Sequence, residues 1–177
     1  NELVDFLEKS GVQFGADLNA YTSFYETVYI LPVPTEDPLM IEKGFTVLED
    51  WAFNNLFDKA EIEKERGVVL EESRLSKGSF ERMSRIYFPK LFNGSKYADR
   101  LPIGKDEILK TFKPETLKAF YKNWYRPNNM AVMVVGDIEP AEAEKMIKAH
   151  FGKYTNPAGA PVRPSIIPIK PRVKPDA

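Results

Sequence analysis

The stretch Glu61-Ile62-Glu63-Lys64-Glu65-Arg66-Gly67-Val68-Val69-Leu70-Glu71-Glu72-Ser73 decides how the rest of the chain is read. Glu65 and Glu72 are seven residues apart, two turns of a helix, so they share a face. Val68 and Val69 lie between them and Leu75 continues the stripe. A carboxylate set into an apolar stripe costs several kcal/mol unless it meets a cation, a metal or hydrogen-bond donors. The pattern therefore marks Glu65 and Glu72 as candidate site residues. By contrast, Glu61, Glu63, Lys64, Arg66 and Glu71 read as the solvated face, with Glu61 and Lys64 as an i,i+3 pair. The spacing also fits an ordinary glutamate-rich surface helix, and spacing alone does not choose between the two.

Working outward, Asp58 is placed to cap this helix, which runs from Lys59 to about Lys77. Before it, Pro34 and Pro38 bracket a turn. An amphipathic helix over about 37–54 follows, with Met40, Ile41, Phe45, Val47, Leu48, Trp51 and Ala52 on its apolar side. Residues 12–23, with a bulge or close approach at Gly15, and 24–31 read as neighbouring strands, the second by its alternation. Leu3, Phe6 and Leu7 predict a helix over 1–10 that stops near Gly11.

Downstream, residues 81–91 read as a helix broken at Pro89, and 93–102 as a polar loop. Residues 105–111 form a short helix, and Pro114 opens another that ends near Tyr125. Met130 to Val135 is wholly apolar and is closed by Gly136, the pattern of a central strand. The last helix spans 140–151 and stops at Gly152. Six of the fourteen prolines fall between Pro157 and Pro175, so residues 156–177 read as a proline-rich linker or arm, and residues 1–155 as most of one domain.

Composition narrows the function. The 177 residues are 43% apolar and 29% charged, which suits a folded domain, and the net charge of −1 gives no footing for nucleic acid or an anionic surface. There is no cysteine, which removes thiol nucleophiles, disulfides and thiolate-ligated zinc. The single histidine, His150, excludes any metal site that needs two histidines from this chain. No apolar run is long enough to span a membrane. The start at Asn1 suggests a processed or excised piece.

Four passages, in order, carry a resemblance: Asn1 to Glu8 leading to Gly11; Asn19-Ala20-Tyr21-Thr22-Ser23 followed by Glu26-Thr27-Val28-Tyr29; Glu65 to Glu72; and Tyr125-Arg126-Pro127-Asn128-Asn129-Met130 running into Val134-Val135-Gly136-Asp137. Together they resemble the insulinase/pitrilysin family of zinc peptidases, nearest to bacterial periplasmic members. The resemblance implies an α+β fold, an antiparallel sheet with helices packed on one face. It implies a zinc site built from an inverted HxxEH motif and a distal glutamate, with the glutamate inside the motif as general base. By match, Glu72 is the distal zinc ligand. Glu65 is the family's second carboxylate, which orients a first-shell histidine or shapes the charge of the site. Asn19, Ala20 and Tyr21 lie on the edge strand that pairs with the substrate backbone.

HxxEH is not in this sequence. In the family it comes shortly before the region that matches Asn1, so this chain is expected to lack the first strand and the catalytic helix, and to be inactive alone. The parent would be a zinc metalloendopeptidase that closes two half-domains around a peptide or unfolded polypeptide, in the periplasm or cell envelope. The other reading is a non-catalytic homologue that binds peptides or acts as a scaffold. The truncated sheet edge predicts self-association. His150 reads as structural, a cation suited to a helix C-terminus, and Arg126 as half of an ion pair or a cap. Tyr21, Tyr25 and Tyr29 read as one strand face, and Trp51 and Trp124 as core anchors.

Overall fold

A computed structural model describes residues 19–170 apart from 94, 99 and 167. The expected helix over 1–10 and the bulge at Gly15 lie outside the described residues. The chain divides into two compact units. One gathers Thr27–Leu56 and Ala119–Val162 with the strand residues before Thr22, the other Phe57–Lys118 with Thr22–Glu26 and the arm from Arg163.

In the first unit, β1 (Asn19–Thr22) pairs with β2 (Thr27–Ile30). Four loop residues join the strands, and Ser23 N–H donates to the Glu26 carbonyl at 2.8 Å, so the pair is antiparallel. Helix α1 (Pro38–Phe53) starts where its sequence signals say it should. Pro38 occupies the first turn, and the Asp37 carboxylate accepts from Leu39 N–H at 2.9 Å. The extended segment before α1 is held tightly against it: a Cβ on Gly44 would lie 3.0 Å from Val33 Cγ1. Helix α6 (Pro140–Phe151) packs on α1, and Phe45, Val47 and Ala143 are the fully buried apolar side chains among the described residues.

Met130 to Val135 corrects the sequence reading. Val132 and Val134 are half-buried while Met133 and Val135 are exposed, so the alternation of a strand is present. The run joins no ladder, because the only sheet among the described residues is the β1–β2 pair. A strand is completed by a neighbour's hydrogen bonds, and no partner for this run lies among them.

In the second unit, α2 (Lys59–Ser76) is capped by Asp58, whose carboxylate accepts from Ala60 and Glu61 N–H at 2.8 and 3.1 Å. It packs on the short α4 (Asp106–Thr111). Helix α3 (Ser79–Leu91) runs through Pro89 and stops at Leu91, so the expected break falls two residues late. It packs on the 3-10 turn Lys96–Ala98, where Tyr97 meets Phe24 and Tyr25 edge-on and donates a 2.7 Å bond to the Tyr25 hydroxyl. Tyr25 thus sits in the turn, and the expected single tyrosine face is divided. Helix α5 (Pro114–Trp124) follows with Pro114 in its first turn.

The arm is better anchored than its composition suggests. The Asn156 side chain accepts from Asn128 N–H at 3.0 Å, the Pro161 carbonyl from Arg126, and the Lys170 carbonyl from Asn93 Nδ2 at 2.8 Å. Polyproline backbone keeps its carbonyls unpaired, so they remain open to side-chain donors.

Candidate functional site

Glu65 and Glu72 do share one face of α2, together with Val68 and Leu75, within an arc of roughly 80°. The face is not buried, which corrects the expectation. Both glutamates are exposed, Val68 is 54% exposed and Leu75 71%. The opposite arc, through Ile62, Arg66, Leu70 and Ser73, is the one turned inward. Ser73 Oγ is buried and donates to Asp106 Oδ1 at 2.7 Å, and Lys77 Nζ engages the other oxygen. The Lys77 ammonium, then the Ser73 hydroxyl, hold the Asp106 carboxyl below its ordinary range.

Arg66, expected on the solvated side, is the clamp of this packing. Its Nη2 donates to the Phe112 carbonyl at 2.8 Å, its Nη1 to the Leu109 carbonyl, and its Nε to Glu63 at 2.8 Å. Its guanidinium lies 4.0 Å over the Phe112 ring. These carbonyls end α4 and have no helical partner, so a cation there satisfies them.

Among the described residues no three His, Asp or Glu side chains come together as a metal site. Glu72 offers one carboxylate with no second ligand beside it among the described residues. The described residues therefore do not by themselves fit a zinc ion. Asn19, Ala20 and Tyr21 form most of β1, one of the two strands of the sheet among the described residues. Ala20 and Tyr21 are exposed.

The polar cluster that is buried lies in the first unit, and the sequence reading named only one of its members. His150 Nδ1 lies 2.8 Å from Glu49 Oε2, and Nε2 lies 3.0 Å from Glu42 Oε1. The second Glu49 oxygen accepts from Tyr154 at 2.7 Å and pairs with Lys153 at 2.6 Å. Phe45 stacks on the imidazole. Burial raises the Glu49 carboxyl, but the hydrogen bonds from Lys153, Tyr154 and His150 outweigh it and hold the group at about 2. A signal was available: Glu42 and Glu49 have the same seven-residue spacing as Glu65 and Glu72, on a helix with a stronger apolar face.

Beside it, Tyr29 and Tyr125 share a 2.7 Å bond, and Tyr121 donates to the Trp51 carbonyl at 2.7 Å. Burial, then the Tyr125 bond, pushes the Tyr29 phenol above its ordinary value, and burial pushes Tyr121 up to about 12. These phenols serve as hydrogen-bonded packing. Arg126 is buried and pairs with no carboxylate among the described residues.

Two family models match the chain. One, described as "Insulinase (Peptidase family M16)", covers residues 1–85, and one described as "Peptidase M16 inactive domain" covers residues 111–177. The probable zinc protease PqqL of Escherichia coli (strain K12) is 36% identical over 170 residues, 96% of this chain. A zinc protease PQQL-like protein of Arabidopsis thaliana is 38% identical over 152 residues, 85% of this chain. The chain spans 18% and 16% of the lengths of these relatives. The crystal structure of the first half of the periplasmic protease PqqL from Escherichia coli superimposes with a TM-score of 0.87 at 36% identity, over 96% of this chain and 36% of that one. The α+β fold and the four ordered passages agree with these matches, and the chain belongs to the insulinase family, peptidase family M16.

Proposed function

We propose that this chain is a segment of a zinc metalloendopeptidase, and that α2 presents Glu72 as one ligand to a zinc site completed by an HxxEH helix outside residues 1–177. The observation that carries the reading is the exposed face of α2. Val68 and Leu75 stand in water on either side of Glu72, with Glu65 one turn beyond Val68. Apolar side chains interleaved with carboxylates on an uncovered helix face suit a face that another helix covers. Zinc, when bound, would activate a water for attack on a peptide carbonyl. Glu65 orients a ligand or shapes the local charge. The strand β1, through Asn19, Ala20 and Tyr21, takes an extended peptide by strand addition.

In this reading residues 1–155 are most of one peptidase domain and residues 156–177 an arm leading to further sequence. The substrate is a peptide or unfolded polypeptide held between this domain and a second half-domain. The periplasmic relative supports a periplasmic or envelope location. The isolated chain is inactive toward peptides, and the surface left by the strand and helix expected upstream leads it to self-associate, which light scattering against concentration reads directly.

The coding frame upstream of Asn1 tests the proposal. An HxxEH in the frame, with peptide hydrolysis by the extended protein that Glu72→Gln abolishes, is the expected result. An open frame whose histidines are replaced would favour the second reading, a peptide-binding or scaffolding homologue without catalysis. The match of residues 111–177 to the inactive-domain model is the observation on that side.

A further inference from the structure

Arg126 precedes the 3-10 turn Pro127–Asn129 with an extended backbone, and the residue is 4% exposed. A guanidinium brings five N–H donors and keeps its charge. Against those donors the protein sets little. Nη2 donates to the Pro161 carbonyl, the Trp124 ring lies 5.8 Å from Cζ, and Nε is buried with no acceptor among the described residues. Arg66 shows what a structural arginine in this protein receives: a carboxylate, two carbonyls and a ring face at 4.0 Å. Arg126 has the burial without a counter-charge among the described residues, and buried charges are ordinarily paired.

The arm reaches Arg126 through the Pro161 carbonyl. Near Arg126 it is attached by the Asn156 side chain on Asn128 N–H and by the Pro161 carbonyl on Arg126, both neutral acceptors. Between them Pro157, Ala158 and Gly159 are exposed, and Gly159 turns the backbone at a φ of 71°. Nε and Nη2 share one edge of the guanidinium, the edge that a carboxylate engages with both oxygens. A single carbonyl oxygen takes one of the two donors and leaves the other empty, which is the arrangement observed.

We propose that Arg126 is a carboxylate-binding site closed by the turn of residues 156–161, and that a peptide carboxylate displaces the Pro161 carbonyl and takes Nε together with Nη2. The free C-terminus of a peptide and an Asp or Glu side chain offer the same two oxygens. The site is independent of the zinc reading, since it uses no residue of α2.

The 177-residue protein is titrated with three probes: N-acetyl-Ala-Ala as the free acid, the same dipeptide as its C-terminal amide, and N-acetyl-Glu amide. The readouts are the Arg126 side-chain Nε–H resonance and Trp124 fluorescence in a Trp51→Phe background. An acid probe should shift the Nε–H signal and slow its exchange with water, and the neutral amide should bind about tenfold more weakly. The better of the two acids identifies the source, peptide terminus or acidic side chain. Arg126→Gln should remove the fluorescence response. Equal responses to acid and amide, or an acid response that survives Arg126→Gln, would overturn the proposal. Should Arg126→Gln fail to fold, the Nε–H signal of the unaltered residue decides alone, and one that stays fixed at saturating acid overturns it.

Discussion

Glu49 and His150 stand 101 positions apart and share a 2.8 Å hydrogen bond that ties α1 to α6. Both elements come from the first unit, and Glu42, Lys153 and Tyr154 complete the cluster around the bond. With few fully buried apolar side chains among the described residues of this unit, a satisfied polar network carries much of the specificity of the helix pair.

Removing one partner should therefore cost more than removing an apolar contact. Glu49→Ala leaves His150 and Lys153 without their shared acceptor and is expected to destabilise the protein by about 3 kcal/mol. Urea unfolding should show a lower midpoint with an unchanged slope. A loss under about 0.5 kcal/mol would mean that the cluster is solvated decoration.

The same carboxyl sets an acid limb. Its ordinary value is 4.5 and the folded state holds it at about 2. The folded state binds the proton less readily than the unfolded state, so the stabilisation is complete above 4.5 and is lost as pH falls toward about 2. Glu49→Gln should flatten the fall in urea midpoint across that window and leave the profile above it parallel to the parent.

Arg66→Lys tests the α2–α4 clamp. A lysine is a point charge on a flexible stem and cannot reach the Leu109 and Phe112 carbonyls together or cover the Phe112 ring. A loss of about 2 kcal/mol is expected, with amide exchange rising in α4 and staying unchanged in α1. Equal rises in both helices would assign the effect to global unfolding.

Gly67 gives the opposite sign. It lies inside α2, and a Cβ there would meet nothing within 4 Å. Gly67→Ala should stabilise the isolated protein by about 1 kcal/mol through helix propensity. Glu65→Gln and Glu72→Gln, both exposed, should each stay within about 0.5 kcal/mol of the parent. Glutamates whose replacement leaves stability unchanged yet alters metal binding in a longer polypeptide are kept for chemistry.

Signals that act within a few residues were legible in the sequence. Asp37, Asp58, Pro114 and Pro140 mark helix starts by capping or by fixing φ, and the helices begin there. Choices between faces were less legible. The wheel of α2 puts Glu65 and Glu72 together but leaves open which arc turns inward, and that was settled by Arg66 and Ser73 finding acceptors on α4 and just beyond it. Met130 to Val135 has the pattern of a strand and, among the described residues, no neighbour to make it one. The partners of His150 come from another helix about a hundred residues away, beyond the reach of any local pattern.

The most direct test is zinc binding measured on two polypeptides, residues 1–177 and the same sequence extended upstream through the proposed HxxEH helix. The extended protein should bind one zinc, and Glu72→Gln should weaken that binding by roughly a hundredfold or more, since even outer-shell partners are worth ten- to hundredfold. The shorter polypeptide should bind zinc no better than its own Glu72→Gln variant. Stoichiometric zinc on residues 1–177, or an extended protein whose affinity is indifferent to Glu72→Gln, would contradict the assignment of α2 as the ligand-bearing helix.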